Sequence, residues 1–333
     1  MEASRGESKK QRAFATGMLV LLTAIWGLTF PATKAALAQT DPMQFLAMRF
    51  LLGLVLLSIL SRVLRKNINR NKASGELDPQ LSQAPAPVPE QGSSAMHPFW
   101  LKLRRERIPS VAWRGVIVGF FLFIGFALQV HGLKLTTASR SGFFTGLLVV
   151  MVPPLAMMLR TSRSPLASWL ALIPAMVGVY LLAEPARGGL NAGDIFTILC
   201  ALVFALQMVI LEALSRHKGE ATRLTIAQVG TVAALATLWS LIQGSPFHFS
   251  LTGIFALLYT GIFGTVVAVW MQTRFQPDVP AGHAALLFQL EPVFASTFAW
   301  LLLGDVWTVR GLAGAGLILA ASTLSSLGLL KND

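Results

Sequence analysis

Ten stretches of predominantly apolar residues run through the chain, at about 13–38, 42–64, 113–134, 140–160, 165–184, 194–214, 223–243, 251–273, 282–303 and 310–330. Each is long enough, at 1.5 Å of helix per residue, to cross a hydrocarbon core about 30 Å thick. A chain of 333 residues that is 54% hydrophobic and only 13% charged has too little polar surface to cover a soluble globule. Most of it must face lipid. The expected fold is an all-α integral membrane protein with ten transmembrane helices. The first run continues past any small-residue cleavage site, so it reads as the first span and not as a cleavable signal peptide.

A net charge of +12 would suggest nucleic acid if the basic residues shared one soluble surface. They lie between the apolar runs instead, and no nucleic-acid partner is expected. With the N-terminus in the cytoplasm, that side holds four Lys or Arg before the first span, ten across residues 61–114, and Arg160, Arg163, Arg216, Lys218, Arg223, Arg274 and Lys331. The other side holds Lys134, Arg140, Arg187 and Arg310, so the positive-inside bias places both termini in the cytoplasm. Residues 1–12 are then a cytoplasmic tail. The one long connection, 65–112, has a core rich in Pro, Ser, Gln and Asn (NINRNKASGELDPQLSQAPAPVPEQGSSAMHP), which predicts disorder. Its basic and aromatic second half, FWLKLRRERIPSVAWR, suits lipid headgroups.

The two halves of the chain match each other. ALQVHGLKLT (127–136) closes the third span as WMQTRFQPDV (270–279) closes the eighth, setting Gln129 against Gln272. ASRSGFFTGLLVVMVPP (138–154) parallels AGHAALLFQLEP (281–292) with a gap of about one turn. Trp26 falls against Phe204, and eight residues later Lys34 falls against Glu212. Residues 13–184 and 194–330 thus read as two five-helix repeats. Five is odd, so the second repeat must enter the membrane from the opposite side, which gives two inverted five-helix repeats. That architecture is common among secondary transporters, whose equivalent halves exchange inward-open and outward-open states.

Taken in order and at repeat spacing, several motifs resemble the EamA-type permeases of the drug/metabolite transporter superfamily. They are IWGLTFPATKAAL, DPMQFLAMRF, GFALQVHGLKLTTASRSGF, CALVFALQMVILEAL and AALLFQLEPVFASTFAWLLLGD. The resemblance covers all ten spans and leaves out the 65–112 insert. It implies a ten-helix bundle around a central solute cavity, and export of a small metabolite such as an amino acid, driven by an ion gradient, across a bacterial-type inner membrane. Ten helices can enclose such a cavity without a second chain, so monomer and homodimer both stay open.

Within the spans, the polar residues are the candidates for solute contact. Pro31 cannot donate to the Gly27 carbonyl, so a bend is expected there, with Trp26, Thr29 and Thr33 on one stripe at i, i+3 and i+7. That stripe is either a cavity wall or a kinked packing face. Arg49, seven residues past Pro42, lies about 10 Å into the second span, where a charge must be paired, watered or snorkelled outward. Glu291 or a solute carboxylate is its expected partner. Lys34 is near a helix end and is expected to snorkel. Gln129, Gln207, Gln228, Trp270 and Gln272 are further pathway candidates.

Glu291 lies nine residues beyond Gly282, close to mid-bilayer, where a carboxylic acid is a candidate for proton uptake and release during a transport cycle. The alternative is a structural salt bridge or a neutral buried acid. Pro292 follows it, and Pro153 with Pro154 is the counterpart in the first half, with Val152 in place of the acid. Pro153 and Pro292 are therefore hinge candidates beside Gly27 and Pro31. His131, near the outer end of its helix, is a further residue to weigh for a proton role. His217 and His283 read as surface residues, and Asp194 as a helix N-cap.

No enzyme motif is present: there is no Gly-rich phosphate loop, no HExxH and no nucleophile elbow. The single cysteine, Cys200, excludes an internal disulfide and a thiol pair for metal. No cofactor and no metal are expected. The partners expected are a small-molecule substrate, protons and membrane lipids. A second reading is a lipid flippase, or a membrane enzyme acting on lipid-linked substrates, supported by the basic, aromatic segment 99–114. A passive channel is disfavoured because no filter-like sequence occurs.

Overall fold

Apolar runs of this length satisfy their backbone hydrogen bonds within the segment, and every regular element among the described residues is helical. The computed structural model describes residues 2–73, 110–159, 161, 166–183, 189–215, 218–244, 250–303 and 306–331. The α-helices are Glu2–Gly27 (α1), Thr29–Leu37 (α2), Pro42–Ala73 (α3), Val111–Leu135 (α4), Ala138–Gly146 (α5), Leu148–Met158 (α6), Leu166–Ala183 (α7), Ala192–Leu214 (α8), Ala221–Gln243 (α9), Leu251–Gly261 (α10), Ala268–Phe275 (α11), Ala281–Phe288 (α12), Leu290–Leu303 (α13) and Val309–Lys331 (α14). A π turn, Ile262–Val267, joins α10 to α11.

Among the described residues, eight helical segments are long and apolar enough to cross a membrane: Lys10–Leu37, Pro42–Val63, Val111–Leu135, Arg140–Met158, Ala192–Leu214, Ala221–Gln243, Leu251–Asp278 and Val309–Gly328. The other two expected spans fall short for separate reasons. The apolar part of α7 is only Ser168–Leu182, and the run 282–303 is divided at Gln289 into α12 and α13. Large apolar side chains such as Ile173, Leu241, Ile242 and Phe255 are exposed on the outside of the bundle, as a lipid-facing surface requires.

Pairwise packing builds the bundle. α4 lies along both α8 and α9, α3 along α9, α1 along α13, and α7 along α14. The α7–α14 contact is close because Gly178 and Gly314 face each other. A Cβ on Gly314 would stand 2.5 Å from the Gly178 carbonyl oxygen and 2.7 Å from Leu182 N. Close backbone approach of this kind substitutes for the hydrophobic drive that lipid does not supply between helices.

Polar side chains fasten the helix ends, and here several expectations are corrected. Asn191, not Asp194, is the N-cap of α8; Asp194 is its reciprocal partner in a capping box. The Asp194 carboxylate is fully buried and accepts from Thr136 Oγ1 at 2.9 Å and from Arg140 Nε at 3.0 Å, with Arg140 Nη2 paired to its second oxygen. Lys34 does not snorkel outward. Its ammonium donates to the carbonyls of Leu133 and Thr136 at 2.6 and 2.7 Å, capping the C-terminus of α4, where a cation suits the helix dipole.

At the start of α4, Arg114 is buried. It donates to Leu214 O at the end of α8 and to Glu220 before α9, both at 2.7 Å, and so does not belong with a headgroup-facing stretch. Residues 99–109 of that stretch lie outside the described residues, as does 74–98 of the insert, while Val111, Ala112 and Trp113 open α4 with the Trp113 ring exposed. Residues 65–73, placed in the disordered insert by composition, continue α3 as helix. His283 is fully buried, not on the surface. Its Nδ1 lies 2.9 Å from Ser325 Oγ, which in turn lies 2.8 Å from Ser168 Oγ. A distant serine thus meets Nδ1, while Nε2 is buried with no hydrogen-bond partner among the described residues. His217 lies outside the described residues.

Candidate functional site

Four helical segments are interrupted in mid-course: at Leu28 between α1 and α2, at Leu147 between α5 and α6, at the π turn between α10 and α11, and at Gln289 between α12 and α13. Proline explains two of these. Pro31 and Pro292 are each the third residue of the helix that begins after the interruption, a place where a missing N–H leaves no carbonyl unpaired inside that helix. Pro153 does not mark its interruption; it lies inside α6 with Pro154, and the helix is broken earlier, at Leu147. Two of the interruptions are stitched together, since Gln289 Nε2 donates to the Gly146 carbonyl at 2.6 Å.

A cavity of about 60 Å³ lies where these interruptions meet. On the same measure a single water needs roughly 10–15 Å³, so several waters or the polar part of a small solute can be held. Residues on either side of three interruptions line it: Trp26 and Thr29, Thr145 and Leu148, Phe288 and Glu291. Arg49 from α3, Gln129 from α4, Gln207 from α8 and Gln272 from α11 add the remaining polar groups, and Phe30, Phe126 and Phe204 add aromatic faces. Gly27 lets α1 approach α13 beside the acid, for a Cβ there would meet Ala295 N and Phe294 Cβ at 2.9 Å.

The two charged groups of the cavity are not paired with each other. Arg49 is 3% exposed and donates from Nε to Thr265 Oγ1 at 2.9 Å and from Nη2 to Gly264 O at 3.2 Å. Its guanidinium carbon also lies 4.9 Å from the Phe126 ring centre and 5.6 Å from that of Phe50, within cation–π range. Among the described residues no hydrogen bond or ion pair reaches the Glu291 carboxylate, so the expected Arg49–Glu291 partnership is replaced by neutral partners for Arg49. The amides form a chain below: Gln272 Nε2 donates to Gln276 Oε1 at 3.0 Å, and Gln276 Nε2 donates to Met208 O at 2.9 Å. Gln207 Nε2 is buried with no hydrogen-bond partner. A solute acceptor would satisfy it.

Of the remaining pathway candidates, three point elsewhere. Thr33 is buried but does not line the cavity: it follows Thr29 by four residues in the same unbroken α2, which carries it about 6 Å further along the helix axis. Gln228 donates to Thr273 Oγ1 at 3.0 Å and Trp270 to Thr222 Oγ1 at 3.1 Å, both outside the cavity wall. The aromatic lining from Phe126, Phe204 and Phe288 was not among the candidates. For Phe204 the signal existed, since matching the two halves of the sequence sets it opposite Trp26. His131 lies off the cavity, its Nδ1 2.8 Å from the Ala127 carbonyl.

The profile of the EamA-like transporter family matches residues 14–77 and 191–327. The chain belongs to the EamA-like transporter family. As such it is a multi-pass membrane transporter and not an enzyme, with a small-molecule substrate and a lipid surround. A protein of Archaeoglobus fulgidus named as an uncharacterized transporter is 27% identical over 97% of this chain and 89% of its own length. The uncharacterized transporter YoaV of Bacillus subtilis is 19% identical over 90% and 92%. One of Clostridium kluyveri is 23% identical over 92% of each. A crystal structure, described only as that of a protein, superposes with a TM-score of 0.67 over 97% of this chain and 99% of the other at 16% identity, which shows the shared fold.

Proposed function

We propose that this EamA-like transporter exports a small polar metabolite, an amino acid or related solute, by alternating access, and that Glu291 couples the cycle to protons. In this reading α7 and the α12–α13 pair also cross the membrane, giving ten spans in two inverted repeats, 13–184 and 194–330, with both termini in the cytoplasm of a bacterial-type cell. One observation carries the proposal: Arg49 and Glu291 line a single cavity without pairing, so a cation and an acid are both available to a solute. The internal match of Trp26 with Phe204 and of Gln129 with Gln272 supports the repeat. All four of these side chains line the same cavity.

The lipid-directed alternative drew on the basic segment 99–114. The burial of Arg114 against Glu220 removes one of its charges from any headgroup contact. Metabolites that accumulate outside cells overexpressing the protein identify the solute. Arg49→Gln at equal membrane abundance is expected to lower that accumulation about tenfold or more, the scale of a lost hydrogen bond to a charged group. Equal accumulation with Arg49→Gln and the wild type would exclude the cavity as the solute site.

A further inference from the structure

We infer that the π turn Ile262–Val267 is a positioning device for Arg49, and that Thr265 is the residue that turns one edge of the guanidinium toward a solute carboxylate. This rests on the cavity being the solute site and narrows it to a class of ligand. π turns recur at functional sites because they shift the hydrogen-bond register by one residue. In an α-helix the Ala268 N–H would bond the Gly264 carbonyl; here it bonds Phe263 O and Thr265 O. The Gly264 carbonyl instead accepts from Arg49 Nη2 at 3.2 Å and Trp26 Nε1 at 3.4 Å. Only glycine fits there, since a Cβ would stand 2.8 Å from Thr29 Cγ2 and 3.1 Å from Arg49 Nη2.

Thr265 sets the direction. Its hydroxyl lies 3.0 Å from the Thr260 carbonyl, which can only accept, so the hydroxyl proton is committed to that bond. What remains for Arg49 is a lone pair, and Arg49 Nε donates to it at 2.9 Å. Thr265 is fully buried, so no water competes. Nε and Nη2 form one edge of the guanidinium fork, and both are now held by the π turn. The end-on edge, Nη1 with the second proton of Nη2, keeps two parallel N–H groups, the arrangement that matches the two oxygens of a carboxylate. No acid pairs with Arg49 among the described residues, and the residue lines the cavity. The geometry therefore selects a carboxylate over a neutral amide of the same shape.

Equilibrium dialysis of radiolabelled benzoate and of benzamide against the full chain in detergent tests this. The wild type is expected to prefer benzoate. Thr265→Val, which keeps the volume and removes the acceptor, should weaken benzoate about tenfold and leave benzamide unchanged, with Thr265→Ser restoring the preference. Thr265→Ala provides the same comparison where the valine variant does not fold as a monodisperse species. Loss of the preference in Arg49→Gln with its retention in Thr265→Val and Thr265→Ala overturns the positioning role alone. Equal weakening of both probes by the Thr265 variants does so too, since that is general loosening. No preference in the wild type, or a preference that survives Arg49→Gln, overturns the solute-site reading and this inference with it.

Discussion

Replacing Glu291 with Gln is expected to abolish the dependence of solute efflux on a pH gradient in proteoliposomes, while gradient-independent efflux remains measurable. Glu291 is the second residue of α13, lines the cavity, and has no hydrogen-bond or ion-pair partner among the described residues. Glutamine preserves the size and the hydrogen-bonding capacity of the acid but cannot exchange a proton. An ionisable group so deep in a bundle is otherwise expensive to keep, which is why such positions are functional by default. Wild-type efflux should accelerate when the opposing side is acidified, and the variant should show one rate at every gradient. Glu291→Asp, which retains the exchangeable proton, should retain the acceleration. An unchanged gradient dependence in Glu291→Gln would remove the coupling role.

A comparably large effect, on folding instead of on transport, is expected at Gly314. Valine there must place its Cβ where the Gly178 carbonyl and Leu182 N already lie at 2.5 and 2.7 Å, and backbone cannot yield as a flexible side chain does. Overpacking of this kind costs about 1–3 kcal/mol even where side chains can rearrange. Here α7 and α14 must separate, and α14 is the helix against which α7 packs most extensively. Thermal unfolding in detergent should begin markedly lower for Gly314→Val. Gly316→Ala, two residues along the same helix with nothing within 4 Å of its Cβ, should melt with the wild type. Similar melting of both variants would show that the helices do not pack at this crossing.

Long apolar runs made the helices legible, because burying unpaired backbone in lipid leaves few alternatives. Their interruptions were less so. Leu28, Leu147 and Gln289 are neither glycine nor proline, and what distinguishes Gln289 is a bond to Gly146, which is 143 residues away. Cavity residues were legible where polarity stood out in an apolar run, as at Arg49, Gln207 and Glu291. A helical stripe gives a face but not a depth: Trp26 and Thr29 reach the cavity, and Thr33, one turn further along α2, does not. His283 and Arg114 looked superficial because they lie at the ends of runs; their partners Ser325 and Glu220 are distant in sequence and only the fold brings them close. Thr265 carried no signal at all in a run of small and apolar residues.

Under the alternating-access proposal, a bundle interrupted in four of its members, three of them around one cavity, would behave as two tiers of short levers sharing a fulcrum. Each half-helix would keep its own internal hydrogen bonds on tilting, so either mouth of the bundle could swing without any segment unwinding. Among the contacts such a motion would have to change are polar ones: Lys34 on the α4 carbonyls, and the Gln272–Gln276–Met208 chain beside the cavity. In that cycle the middle, where solute and acid would meet, would move least. Such a layout would separate the parts that travel from the parts that recognise, and would let the cargo chamber stay the same shape while the door changes sides.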